Sequence, residues 1–199
     1  MLHEIYKLKE IEKHLTEGSL IALDLDDTLI TASTYHGSMK WADDLIKKYQ
    51  KEGYKIEEAI TQTIELWQNA LSGVKMKLTE ENSVDLINKW KESSSVIGLT
   101  ARDFVTKNET HQSLKSHQIS FSLFNDFNHA FYEKGILFCS GEDKKKLLSS
   151  FIKQAMKKKP EKILIVDDKK ENLEKILDSH LKDDFQIHCF HYLNKIFYK

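Results

Sequence analysis

The chain has a single proline, Pro160, and seven glycines in 199 residues, and it contains no repeat and no low-complexity segment. Its only two cysteines, Cys139 and Cys189, both lie in mainly apolar stretches. That count excludes a disulfide scaffold, and buried reduced thiols in a reducing compartment are the expectation. No apolar run approaches the roughly 20 residues that cross a bilayer, and the N-terminus lacks a signal-peptide core, so no transmembrane segment and a cytoplasmic location are expected. A formal net charge of -1 offers no long-range attraction to nucleic acid or an anionic membrane. What remains is a globular balance of 40% hydrophobic and 31% charged residues, at a length that suits one domain plus an insertion.

Against that background one string stands out. Ile21-Ala22-Leu23-Asp24-Leu25-Asp26-Asp27-Thr28 is an apolar run that turns acidic at its end, with two carboxylates two residues apart. Side chains two apart in extended chain share a face, so Asp24 and Asp26 point together while Asp27 points away. This is the layout of a buried strand carrying a site at its carboxyl edge. Aspartate and threonine also occur in ordinary solvated turns, but three further polar clusters end candidate strands. Val96-Ile97-Gly98-Leu99 leads to Thr100 and then Arg102; Ile136-Leu137-Phe138-Cys139 leads into Glu142-Asp143-Lys144-Lys145-Lys146; and Ile163-Leu164-Ile165-Val166 ends in Asp167-Asp168.

The intervening segments read as helices. Residues 3 to 16 place Ile5, Leu8, Ile11 and Leu15 on one helical face before Gly18. The roughly 70 residues between the first two strands are too many for a simple crossover. Trp41, Leu45, Ile46 and Tyr49 form one stripe, and Ile56, Ile60, Ile64, Trp67 and Leu71 form another, with Gly53 between them. The pair predicts a helical hairpin, and the Thr79-Glu80-Glu81-Asn82 segment predicts the start of the helix that returns to the sheet. Helices are expected from 102 to about 116, from 144 to 158 and from 170 to 179, with strands at 20–25, 95–99, 162–166 and 185–190. The segments 127–131 and 135–139 could pair with each other or form successive strands. The alternation predicts an α/β protein with a Rossmann-like, mostly parallel sheet covered by helices on both faces and a small helical cap insertion. The core takes residues 1–30 and 79–199; residues 31–78 form a flap and the cap. The aromatic tail through Phe197 and Tyr198 could lead into a further domain.

The four clusters, in this order, resemble the motifs of the haloacid dehalogenase superfamily: Asp-x-Asp-x-Thr on the first strand, a hydroxyl after the second, a lysine before a helix and a late acidic pair. The resemblance implies a phosphomonoester hydrolase that passes through an aspartyl-phosphate. Asp24 would be the nucleophile and Asp26 the general acid and base, with Thr100 donating to the transferring phosphoryl group. Lys144 or Lys145 would neutralise charge, with Lys144 favoured by its spacing from Gly141. Mg2+ would be held by Asp24, by Asp26 through its carbonyl and by Asp167, with Asp168 ordering a bound water or Lys144. Asn172 is close enough in sequence to assist or to cap a helix. Arg102 fits either a phosphate ligand or a surface ion pair, and Thr28 fits a turn anchor. His36 and Trp41, in the segment after the first motif, are assigned to substrate recognition, although Trp41 fits core packing in the cap equally well.

More weakly than it resembles the superfamily, the chain resembles its short-cap members of the bacterial acid-phosphatase-like and host-directed tyrosine phosphatase kinds. That likeness implies a phosphorylated partner, a small molecule or a phosphoprotein, with an aryl phosphate or phosphotyrosine as substrate, and it extends the expected location to delivery into a host cell. The competing readings are a receiver-like phosphoacceptor, disfavoured because its acidic pair comes first and its phosphorylated Asp later, and a non-catalytic phosphate-binding module. The nine histidines show no local metal-ligand spacing and are read as surface or packing residues.

Overall fold

The structure is a computed structural model and describes residues 1–193, so the tail containing Phe197 and Tyr198 lies outside the described residues. In chain order the strands are β1 (Leu2–Ile5), β2 (Leu20–Leu23), β3 (Ile30–Ala32), β4 (Met76–Leu78), β5 (Ser95–Thr100), β6 (Tyr132–Glu133), β7 (Ile136–Phe138), β8 (Lys162–Asp167) and β9 (Gln186–Tyr192). The helices are α1 (Met39–Lys51), α2 (Ile56–Leu71), α3 (Ser83–Lys91), α4 (Lys107–Ser116), α5 (Lys144–Ala155), α6 (Lys170–Leu177) and α7 (Leu181–Asp184). Seven strands form one sheet in the order β1-β9-β8-β2-β5-β7-β6, parallel throughout except for the β6–β7 pair. The α/β, mostly parallel architecture expected from the alternation is therefore present.

Between their polar ends the central strands carry no polar side chain, because both of their faces are covered. Ile21 and Leu23 of β2, Val96 of β5 and Leu164 and Val166 of β8 pack with Leu86, Ile87 and Trp90 of α3 on one side. Leu20 and Ala22, Ile97 and Leu99, and Ile163 and Ile165 pack with Leu147, Leu148, Phe151 and Ile152 of α5 and Leu173 and Ile176 of α6 on the other. A fully buried aliphatic side chain contributes about 1.5–3 kcal/mol. These two layers fix the height of β2, β5 and β8, and so the level at which their polar ends emerge.

Several expectations need correcting. Residues 3–16 are not one helix: β1 pairs in parallel with β9, Leu2 opposite Cys189 and Ile5 opposite Tyr192, and a 3-10 helix follows over Leu8–His14. Ile5, Leu8 and Ile11 are buried as expected, but through a strand and a tight helix whose partners lie at the other end of the chain. Segment 127–131 is not a strand. The hairpin instead joins β6 to β7 through Lys134 and Gly135, whose φ values of 50° and 82° suit the tight turn that matches strand twist. The helix expected from 102 begins as a 3-10 turn at Phe104 and becomes α4 at Lys107. The stripe of α2 is also misphased. Ala59, Thr63, Trp67 and Leu71 face inward, while Ile56, Ile60 and Ile64 are 43%, 38% and 47% exposed.

Between β2 and α3 the chain makes a second, two-stranded antiparallel sheet from β3 and β4, and helices α1 and α2 lie between those strands. Asp27 has a φ of 57°, a left-handed conformation that Asp tolerates better than most residues, and its carboxylate accepts a hydrogen bond from Thr31 Oγ1 at 2.6 Å. This turn directs the chain out of β2 into β3. Among the described residues no helix is long and apolar enough to cross a membrane. Both cysteines are free and buried, and burial pushes each thiol up to about 12.

Candidate active site

The C-terminal ends of β2 and β8 and the start of α5 converge on Lys144. Its Nζ donates to Asp24 Oδ1 and to Asp167 Oδ2, both at 2.6 Å. The lysine is 6% exposed, Asp24 6% and Asp167 1%. Local structure explains why Lys144 takes this place rather than Lys145. Asp143 caps α5 by accepting from the Lys145 amide at 2.9 Å, which makes Lys144 the first helical residue. Lys144 then heads the buried stripe Leu147, Leu148, Phe151, Ile152 and Ala155. Lys145 is one helical step off that stripe and pairs loosely with Asp143 at 3.7 Å.

Asp167 is held from three sides. Besides Lys144, its Oδ1 accepts from the Lys169 amide at 2.8 Å, and Asn172 Nδ2 donates to both of its oxygens at 3.1 Å. Asn172 therefore joins the site, one turn into α6. Asp168 contributes as well: carboxylate oxygens of Asp24, Asp167 and Asp168 lie within 4.8 Å of one another. Its main chain is anchored by Thr28, whose Oγ1 accepts from the Asp168 amide at 3.1 Å, and by a His191 ring nitrogen 3.0 Å from its carbonyl oxygen. Thr28 thus ties the first acidic motif to the last. Thr100, fully buried at the end of β5, accepts from the Arg102 amide at 3.2 Å.

Three carboxylates share one ammonium group, and the electrostatics follow from that imbalance. Burial first, and then the neighbouring Asp167 and Asp26, push Asp24 up to about 7 despite Lys144. Burial together with Asp24 and Asp167 pushes Asp168 up to about 8. Burial alone would lower the Lys144 ammonium, but the charges of Asp24 and Asp167 outweigh it and raise its pKa, so it stays charged. The donor set is oxygen-only and short of positive charge, which suits a hard divalent cation rather than zinc.

This imbalance predicts a pH dependence. A carboxylate raised in the folded state holds its proton where the unfolded chain has lost it, so its contribution to stability is full below about 4 and disappears as pH rises through about 7 for Asp24 and about 8 for Asp168. Without metal the melting temperature should fall between pH 5 and pH 8. A divalent cation displaces those protons, so its stabilising effect should grow over the same interval. Thermal melts at both pH values with and without MgCl2 measure this; a metal effect equal at the two pH values contradicts the arrangement.

Asp26, the neighbouring carboxylate that acts on Asp24, pairs with Arg102. Its oxygens accept from Arg102 Nε at 2.8 Å and Nη2 at 2.7 Å, a bidentate pair in which Arg102 is 3% exposed and also donates from Nη1 to Thr110 at 2.9 Å. The surface ion pair considered for Arg102 is thus a buried one. Its guanidinium lies 5.5 Å from the ring of Trp67 in α2, and Trp67 Nε1 donates to the Gly37 carbonyl at 3.0 Å. Gly37 has a φ of 81°, and a Cβ there would collide with Val74, so glycine is required. Trp67 is therefore the aromatic ring that joins α2 to the Arg102–Asp26 pair. His36 and Trp41 pack on each other at 4.5 Å between ring centres, with His36 exposed and Trp41 half-buried at the start of α1.

Sequence reasoning had named Asp24, Asp26, Thr100, Arg102, Lys144, Asp167 and Asp168. It had not assigned Trp67 to this region, and α2 periodicity alone placed that residue in a core stripe. Residues 4–196 match a family model described as "Protein of unknown function (DUF2608)". No curated protein matches the chain. Among solved structures, the HAD domain of effector protein Lem4 from Legionella pneumophila, in an inactive mutant, is 16% identical, with 90% of this chain and 87% of that chain covered and a TM-score of 0.49. A phospho-aspartyl intermediate analogue of phosphoserine phosphatase is 14% identical, with 90% and 96% covered and a TM-score of 0.47.

Proposed function

The chain belongs to the DUF2608 family, whose description assigns no activity, and we propose that it is a phosphomonoester hydrolase working through an aspartyl-phosphate on Asp24. One observation carries this reading: Lys144 bonds at 2.6 Å to both Asp24 and Asp167, joining the first, third and fourth motifs of the haloacid dehalogenase pattern at one point. Structural ion pairs in α/β proteins seldom combine a buried lysine with two buried carboxylates and a third beside them, because the unbalanced charge destabilises the fold. Sites that handle phosphate carry such charge by function.

In this mechanism an Asp24 carboxylate oxygen attacks phosphorus, and the bond from phosphorus to the leaving oxygen breaks. The leaving oxygen takes a proton from Asp26. Water then attacks the same phosphorus, Asp26 accepts its proton, and phosphate leaves with the Asp24 carboxylate restored. Lys144 offsets charge on Asp24 and on the transferring oxygens, and the Thr100 hydroxyl donates to that group. Asp24, Asp167 and Asp168, with the Asp26 carbonyl, would hold Mg2+, which supplies further positive charge against the phosphoryl oxygens. Arg102 positions Asp26 through its two hydrogen bonds for the second step, and must release it for the first.

Helices α1 and α2 act as the cap, and His36 and Trp41 stand on its flap side as the surface a leaving group meets. A short cap admits a protein-borne phosphate, and the packed His36–Trp41 pair is what supports an aryl phosphate or phosphotyrosine in this reading. Delivery into a host cell, as the resemblance implies, is compatible with that substrate.

The test is hydrolysis of p-nitrophenyl phosphate by the purified chain. Turnover that requires Mg2+ and stops with chelator is expected; a rate indifferent to chelator overturns the mechanism. The grip of Arg102 on both oxygens of Asp26 favours one second reading, a chain that phosphorylates on Asp24 and stalls. A stoichiometric burst of nitrophenol without turnover is its signature.

A further inference from the structure

Three histidines separated by up to 185 residues meet at the β1 edge of the sheet. His3 lies on β1, His188 on β9 and His14 at the end of the 3-10 helix that follows β1. One ring nitrogen of each lies within 4.8 Å of the other two. Nε2 of His3 is 3.2 Å from Nδ1 of His188. Two nitrogens bound tetrahedrally to zinc at ~2.0–2.1 Å are about 3.3 Å apart, so this pair already has the required separation.

The environment supports ligation further. His188 is 3% exposed, and Nε2 of His14 is buried with no hydrogen-bond partner among the described residues. Buried polar atoms without partners are rare and ask for an explanation. The ring of Phe190 lies 5.0 Å from His3 and 5.2 Å from His14, giving the cluster an apolar floor. Burial lowers the pKa of all three imidazoles, His188 to about 4, and Lys13 or Lys162 acts in the same direction on each. They are therefore neutral at pH 7, the form that binds metal.

We propose that His3, His14 and His188 form a site for one divalent transition metal of the zinc type, separate from the carboxylate cluster. The donor set is three nitrogens, which selects zinc and its neighbours over Mg2+. Three protein ligands leave a fourth position for water. His188 pairs with Leu164, three residues before Asp167 in the register, which is about 10 Å along the strand. The metal would fasten β1 and the 3-10 helix to β9, a structural clamp on the first fourteen residues. Lys13 and Lys162 repel a dication as well as a proton, so affinity should lie below that of sites backed by carboxylates.

The experiment is a titration of the full chain with Zn2+ in the presence of excess Mg2+, followed by NMR of the histidine ring nitrogens and by thermal melting. One equivalent should shift the signals of His3, His14 and His188, leave those of His36, His117 and His129 in place, and raise the melting temperature. His3→Gln, at a half-buried position, should bind Zn2+ at least ten-fold more weakly at these rings. If the three signals stay in place in the parent chain, or His3→Gln shows the same affinity at His14 and His188, the site does not exist. The ring signals are read in the parent chain, so the outcome does not depend on whether the variant folds.

Discussion

Asp24→Asn is expected to lower the hydrolysis of p-nitrophenyl phosphate by at least about 10⁴-fold, the scale on which enzymes lose activity when an attacking side chain is removed. Asparagine keeps the size of the side chain, and its amide oxygen can still accept from Lys144, but an amide does not attack phosphorus as a carboxylate does. Lys144 also keeps its bond to Asp167, so the helix start stays in place. The variant should have the circular dichroism spectrum of the parent and, above pH 7, equal or greater thermal stability, because it removes a carboxylate that burial and its neighbours already push up to about 7. Steady-state rates of the two proteins, purified side by side, decide the matter. Equal rates would place the activity on another residue.

The second large effect is on folding. Lys144→Met should cost about 3–5 kcal/mol in metal-free buffer, the usual penalty for breaking a buried ion pair by removing one partner. Methionine fills the space of the lysine stem, so little of the loss comes from packing. The loss arises because Asp24, Asp167 and Asp168 would then share a buried site without the ammonium that bonds to the first two. Mg2+ should return part of the lost stability, since a cation at the carboxylates replaces the missing charge. Lys145→Met is the control: that residue is more than a third exposed and pairs weakly, so its change should stay within about 0.5 kcal/mol. Urea denaturation with EDTA and with MgCl2 separates these outcomes. A Lys144→Met chain as stable as the parent in EDTA would mean that the buried contacts carry no weight.

What could be read from the sequence was whatever depends on strand ends. Asp24, Thr100 and Asp167 each close an apolar run, and a strand buried on both faces has to end at a sheet edge, so the meeting of Asp24 and Asp167 at Lys144 follows from the alternation. The choice between Lys144 and Lys145 was also available in the stripe from Leu147 to Ala155, which Lys144 heads and Lys145 does not. Four features were hidden because they depend on contacts between distant residues. Ile5, Leu8, Ile11 and Leu15 fit a helix as well as they fit a strand followed by a 3-10 turn, and only pairing with Cys189 to Tyr192 decides between them. The Arg102–Asp26 pair spans 76 residues, and no local pattern announces it. The histidines at 3, 14 and 188 have no spacing that a motif could capture. On α2, hydrophobicity favoured Ile56, Ile60 and Ile64, whereas contact with Gly37 and Arg102 chose the face of Trp67.

The parallel pairing of β1 with β9 has a consequence for biosynthesis. Residues 2–5 are made before every other strand of the sheet, yet they find their place only against 189–192, which are made after all the others. Until then Ile5, Leu8 and Ile11 have no finished edge to cover them, while the strands from β2 to β8 can already assemble. Contacts of such long sequence separation form slowly, so the nascent chain carries unsheltered apolar side chains on β1 and the 3-10 helix until β9 has emerged, and the sheet is completed at that outermost strand last.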